Sequence, residues 1–203
     1  MTELDPATRA LVRLGAVVAQ PDRDRLDAAA RAAVEAGVPV LWGDELVLQS
    51  VLMVGYPRAL TAGMAWRQAT GRPAEWLEDG ADFGRVTDWR QRGEATCRIV
   101  YGANYDKLRA NVTELHPALD AWMVAEGYGR TLSRPGLDLV RREFVVIAQV
   151  VMLGAERQLH SHLRGARNAG AAPAAIDEVV LIAGREAAPA HAALARSLWD
   201  RIR

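Results

Sequence analysis

The chain has 203 residues, half of them apolar and a quarter charged, which is enough for one good-sized domain or two small ones with a substantial core. Its 25 basic side chains balance 25 acidic ones. This neutral balance offers no attraction for nucleic acid or an anionic membrane, so neither is predicted as a partner. Cys97 is the single cysteine, which excludes an intramolecular disulfide, a CxxC redox pair and a cysteine-rich zinc site.

The first residues do not resemble a targeting signal. The stretch MTELDPATRALVRLG carries acidic residues where a secretory signal would carry a basic region and an apolar run. The most apolar stretch, residues 144–153, is too short to span a bilayer. These features predict a cytoplasmic protein.

Helical periodicity and helix-favouring residues dominate the chain, which predicts an all-α fold. A first group of helices occupies about residues 5–70, with breaks at Gln20-Pro21, Gly37-Val38-Pro39 and Gly55-Tyr56-Pro57. Residues 71–86 lose the periodicity and collect Gly, Pro and Asp, as a linker does. A second group runs from about residue 94 to the end, with one of its breaks expected at 127–136.

The segment EFVVIAQVVML, residues 143–153, is rich in β-branched residues that would also suit a buried strand. Its length and the helical pattern ahead of it favour a buried helix.

The two helical groups resemble each other at one constant offset in numbering. The matched blocks are TRALVRLGAVVA (8–19) with RREFVVIAQVVM (141–152), AAARAAVEAG (28–37) with SHLRGARNAG (161–170), and DELVL (44–48) with DEVVL (177–181). We therefore predict an internal repeat, with a partial, degenerate copy in residues 1–70, a linker in 71–93 and a longer unit in 94–203.

Two histidines in QLHSHLRGARNAG, residues 158–170, lie one residue apart and so point to different sides of a helix. His160 shares a face with arginines, whereas His162 lies at the edge of a stripe of Leu and Ala. A histidine at such an edge suits acid–base chemistry, because burial and a neighbouring charge tune its protonation. The pair is not spaced to chelate a metal, and no metal site is predicted.

Glu143 is the candidate partner of His162, because it begins the nearly all-apolar helix before the histidine helix, and a buried carboxylate needs a partner. Spacing alone leaves two simpler interpretations open. A glutamate beside Arg141 and Arg142 is most often an ion-paired helix start, and a histidine beside a leucine stripe is more often a packing residue than a catalyst. At the offset of the repeat, however, Ala10 and Ala29 stand in their places. Side chains that the first copy lacks are more typical of a chemical site than of the scaffold.

Residues 128–180 resemble the carboxymuconolactone decarboxylase family, within the alkylhydroperoxidase D-like fold. The resemblance lies in RPGLD (134–138), in RRE (141–143), in HxxxAxxxG from His162 to Gly170, and in a Glu-Val pair at 178–179. It covers about residues 94–203, and residues 5–70 look like a partial second copy. It implies a helical bundle that assembles into homo-oligomers, as trimers or hexamers.

The resemblance offers two activities. The peroxidase branch has a glutamate, then a CxxC pair, then a histidine; here the glutamate is Glu143 and the histidine His162, but Ala155 and Gln158 occupy the cysteine positions. Thiol chemistry needs both sulfurs, so peroxidase activity is not expected. The decarboxylase branch needs neither cysteine nor cofactor.

The resemblance to the decarboxylase branch implies a carbon–carbon lyase of aromatic catabolism that acts on a small carboxylated lactone. His162 would be the general acid or base with Glu143 as its partner, and no cofactor is needed. Arg134 is the candidate for holding a substrate carboxylate, although an ion pair at a helix start suits it equally well. Tyr128 and Trp122 are candidates for lining the pocket. The alternative hypothesis is a catalytically silent helical protein for binding or assembly.

Overall fold

The structure, a computed structural model, describes residues 3–203 and is all-α as predicted, with no β-strand among those residues. Contacts divide the chain into two units: residues up to Trp76 together with Gly136–Arg203, and Leu77–Pro135. We call them the first and the second unit. The predicted division at residues 70 and 94 follows the sequence repeat, and it stays a prediction.

The first unit contains seven of the described α-helices. They are α1 (Pro6–Val18), α2 (Arg23–Glu35), α3 (Val40–Thr70), α7 (Leu139–Leu153), α8 (Glu156–Asn168), α9 (Pro173–Glu186) and α10 (Pro189–Ile202). Aspartates at 5, 22 and 138 accept main-chain N–H groups at the starts of α1, α2 and α7. Proline occupies the first turn of α1, α9 and α10, where its missing N–H has no helical partner to lose.

Helix α7 forms the centre of the first unit and packs against α1, α3, α8, α9 and α10. Its residues 142–151 are all buried, which confirms that the β-branched segment is a buried helix and not a strand. Burial on every side explains why residues 144–151 are apolar apart from Gln149, because a helix surrounded by others has no solvated face.

The expected breaks between α1, α2 and α3 are confirmed. The break at Gly55 takes the form of a kink inside α3, where Gly55 has φ 74° and ψ 171° and Pro57 begins the continuing helix.

Helix starts also recur at one spacing. The same interval, that of the sequence repeat, separates the starts of three pairs of helices. The pairs are α1 at Pro6 with α7 at Leu139, α2 at Arg23 with α8 at Glu156, and α3 at Val40 with α9 at Pro173.

The second unit contains α4 (Val86–Tyr101), α5 (Tyr105–Leu115) and α6 (Pro117–Trp122), which continues as a π-helical segment over Met123–Leu132. A break expected at residues 127–136 is therefore wrong over its first part. The reason is close packing. A Cβ atom at Gly129 would lie 2.0 Å from the main-chain oxygen of Trp89, and one at Gly93 would lie 2.0 Å from that of Val124. These glycines let α4 and the π-helical segment touch along their backbones.

Among residues 3–203, no helix is both long and apolar enough to cross a membrane.

Candidate functional site

Glu143 and His162 lie in contact inside the first unit. Glu143 is in the second turn of α7 and His162 is in the middle of α8, and the two helices are joined through Gly154, which ends α7 in a left-handed conformation with φ 63°. The turn lays α8 back along α7. It brings His162 Nδ1 to 2.9 Å from Glu143 Oε2.

Both side chains are buried: Glu143 has no exposed surface and His162 is 5% exposed. The donor of this hydrogen bond depends on the tautomer of His162. Towards an ionised carboxylate, which only accepts, Nδ1–H is the donor, and Nε2 is then the second functional atom of the ring. Glu143 Oε1 is buried without a hydrogen-bond partner among the described residues. The pair therefore keeps an acceptor atom unused inside the protein.

The periodicity of α8 is confirmed by burial. Leu159, His162 and Leu163 are buried against the rest of the unit, while Arg164 is exposed and His160 is half-buried on another face. The two histidines thus have separate environments, and only His162 meets the buried carboxylate.

A second buried polar cluster lies between α3 and α7, and it was not predicted from the sequence. Arg142 Nη2 lies 2.7 Å from Glu45 Oε2, and neither side chain is exposed. Gln49 donates to the main-chain oxygen of Arg142, and Gln149 donates to Ser50 Oγ at 2.6 Å. Polar residues at helical spacing inside otherwise apolar stretches were the available signal. Their partners lie far away in sequence, so spacing alone does not identify them.

The remaining predicted residues belong to the second unit. Arg134 is 6% exposed, and its Nη2 donates to the main-chain oxygen of Glu78 at 2.8 Å. Tyr128 is buried in the π-helical segment with its ring edge-on to Tyr101, at 6.1 Å between centroids. Trp122 is 64% exposed at the end of α6. Their roles in substrate binding stay predictions.

Glu78 organises the surroundings of Arg134. Both of its carboxylate oxygens accept from Arg92 at 2.7 Å, and these bonds hold the pKa of Glu78 below its ordinary value although burial raises it. Arg85 and Arg134 add positive charge nearby that lowers the pKa further. Arg134 therefore lies beside a carboxylate that remains ionised.

The sequence matches the carboxymuconolactone decarboxylase family over residues 2–69 and 117–198. The chain belongs to this family. Comparison with curated proteins finds no match. The two matched stretches take in most of the first unit, together with α6 and the π-helical segment, and they leave out α4 and α5. Family membership supports a carboxymuconolactone decarboxylase-like or alkylhydroperoxidase-like protein.

The thiol positions of the peroxidase arrangement fall at the start of α8. Ala155 precedes the first turn of that helix and Gln158 lies within it, so neither supplies a sulfur. Cys97 is buried in α4 of the second unit. Within this family, the chain therefore keeps the glutamate and the histidine of that arrangement without its dithiol.

Proposed function

We propose that the chain is a cofactor-independent carbon–carbon lyase that removes carbon dioxide from a small carboxylated lactone or a related metabolite of aromatic catabolism. His162 is its general acid or base, and Glu143 orients and charges the imidazole. The observation that carries this proposal is the 2.9 Å contact between the buried Glu143 and His162 in a family with decarboxylase members.

The chemistry requires one proton and a place for negative charge. The bond that breaks joins the carboxylate carbon to the neighbouring carbon of the lactone. Its electron pair stays on that carbon and is delocalised into a conjugated carbonyl, while carbon dioxide leaves. Protonated His162 then delivers the proton to the carbanion from Nε2, and solvent restores the proton for the next turnover.

Glu143 serves this step in two ways. Its bond to Nδ1 fixes the ring so that Nε2 points away from the carboxylate. Its negative charge stabilises the imidazolium before the proton is given up, as the carboxylate of a catalytic triad does. Because both groups are buried, water competes little with this interaction.

The internal repeat supports a chemical role for the pair. We infer that α1–α3 and α7–α10 are two copies of one helical unit, and the common spacing of their helix starts supports this inference. Ala10 and Ala29 hold the corresponding positions in the first copy, on helices that start at corresponding residues. The scaffold therefore forms without the charged pair.

Arg134, Tyr128 and Trp122 remain the proposed substrate-binding residues, with Arg134 for the carboxylate. We further propose that the chain works as a homo-oligomer, a trimer or a hexamer.

The test is turnover of carboxymuconolactone-type substrates by the purified protein, followed by loss of substrate absorbance and release of carbon dioxide. We expect wild-type turnover, and a fall in kcat of roughly 100-fold or more in His162→Ala and in Glu143→Gln, as loss of general acid–base catalysis typically gives. His162→Gln is a second variant, because it keeps an amide donor for Glu143.

Matched controls are His116→Asn and Glu114→Gln, which change an exposed histidine and an exposed glutamate of the second unit. Asn at 116 retains an acceptor for the start of α6, where His116 now accepts from Ala118. Turnover that survives in the folded His162 and Glu143 variants overturns the site assignment. A folded wild-type protein with no turnover of these substrates favours the silent binding or assembly protein.

A further inference from the structure

A basic groove runs between α8 and α10 on the surface of the first unit, with a volume of about 710 Å³. Four arginines line it: Arg157, Arg164 and Arg167 from α8, and Arg201 from α10. His160 lies among them, and Glu156 at the start of α8 is the one carboxylate of the lining. The groove therefore concentrates positive charge in a protein whose total charges balance.

These arginines are not neutralised by the protein. Arg157, Arg164 and Arg201 form no ion pair with any described residue, and Arg167 donates to the main-chain oxygen of Ile202 at 2.6 Å. Neighbouring arginines behave otherwise, since Arg196 pairs with Asp177 at 2.8 Å. Like charges held in one concavity repel each other, and an anion in the groove relieves this repulsion.

The other half of the first unit contains a groove at the corresponding place, between α2 and the end of α3. Buried tryptophans mark the correspondence, because Trp66 and Trp199 match at the offset of the repeat and both are fully buried. The smaller groove is lined by Asp27, Arg31, Ala65, Gln68 and Ala69. At the same offset, each of these residues has a counterpart that lines the basic groove.

The smaller groove shows which groove residues the helices need in order to pack together. Asp27 stands where the basic groove has His160, and Gln68 stands where it has Arg201. The volume is about 150 Å³ instead of 710 Å³. Arg31 stands where the basic groove has Arg164, so one arginine is common to both grooves. Both halves fold with the same helix pairing, so the other three arginines and the larger space are not needed to hold the helices together.

We propose that the α8–α10 groove binds a small molecule that carries two or more phosphate or carboxylate groups. Arginine forks bind either oxyanion through paired, charge-assisted hydrogen bonds. The volume lies within the range of small-molecule sites, and four guanidinium groups spread over three turns of α8 and the end of α10 suit more than one anionic group.

This site is separate from the Glu143–His162 pair. Neither residue of the pair lines the groove, and His160 and His162 lie on different faces of α8. Binding in the groove is thus a second property of the protein and does not depend on the proposed lyase activity.

The experiment is calorimetric titration of the purified full chain with inorganic pyrophosphate and, in a separate arm, with citrate, each at low and at raised salt. We expect saturable binding of at least one probe, with the two arms distinguishing a phosphate from a carboxylate ligand. Arg164→Ala/Arg201→Ala should weaken that binding about tenfold or more, because it removes two charged donors. Raised salt should weaken it as well.

The matched control is Arg31→Ala/Arg185→Ala, which removes two exposed arginines outside the groove and leaves the net charge equal to that of the test variant. We expect it, and Glu143→Gln, to bind as the wild type does. Arg164→Lys/Arg201→Lys keeps the positive charge but not the paired donors of the guanidinium group. Its affinity for the probe should therefore lie between that of the wild type and that of the alanine variant. Absence of saturable binding of both probes to wild type, or equal weakening in the control, overturns the proposal. So does binding of a DNA duplex alone with the same dependence on Arg164 and Arg201.

Discussion

At the scale of single residues, the Glu143–His162 pair has a consequence for stability. Removal of His162 leaves Glu143 buried with no bond to either oxygen among the described residues. An unpaired buried charge of this kind costs roughly 3–5 kcal/mol. We expect His162→Ala to lower the free energy of unfolding by about that amount, measured by urea denaturation at neutral pH.

The double variant Glu143→Ala/His162→Ala should be less destabilised than His162→Ala, because no charge is then left unpaired and only packing is lost. At the offset of the proposed repeat, Ala10 and Ala29 stand in these places. Together with Glu143→Ala, the two variants complete a double-mutant cycle. Additive losses in that cycle would show that the two side chains do not interact in solution.

This residue pair also shows which features of the site can be predicted from the sequence. Helical periodicity separated His162 from His160, since a face of Leu and Ala at three- and four-residue spacing must be buried. The pair of Arg142 and Glu45 could not be found in that way, because it joins residues 97 apart on two different helices. Periodicity assigns a residue to a face, but only packing assigns it a partner.

At the scale of helices, Gly55 is the residue on which the course of α3 depends. Its φ of 74° and ψ of 171° are essentially restricted to glycine, and a side chain there costs about 1–3 kcal/mol. We therefore expect Gly55→Ala to lower the midpoint of thermal unfolding.

Gly63→Ala is the control on the same helix. A Cβ atom there meets Val47 at an ordinary 3.5 Å, and alanine in place of a helical glycine gains roughly 0.5–1 kcal/mol. The two substitutions should thus shift the unfolding midpoint in opposite directions. Equal shifts of the same sign would argue that α3 is not kinked at Gly55 in solution.

The different roles of glycine also explain why some helix limits could be predicted from the sequence and others could not. At Gly55-Tyr56-Pro57 the signal is local, because a proline cannot continue the hydrogen bonds of the preceding turn. At Gly127 to Gly136 the same residue type suggested a break, but Gly129 serves the approach of α4, which lies far earlier in the chain. A glycine needed for a turn and one needed for contact are alike in sequence.

At the scale of the whole molecule, the exposed apolar residues of α3 bear on assembly. Tyr56, Leu60 and Met64 follow one another at four-residue spacing and are each more than half exposed. Soluble monomers rarely leave such a stripe in water, whereas subunit interfaces bury it. We expect this surface to lie between subunits of the proposed trimer or hexamer.

Sedimentation velocity of the wild type and of Leu60→Glu/Met64→Glu tests this expectation. Two carboxylates placed in a buried apolar interface are costly, so the variant should sediment as a smaller species than the wild type. Leu115→Glu, which changes an exposed leucine of the second unit, should sediment as the wild type does. A monomeric wild type would contradict the proposed assembly, because the apolar stripe would then be stable in water without a partner subunit. An unchanged assembly in the double variant would instead place the interface on another surface of the molecule.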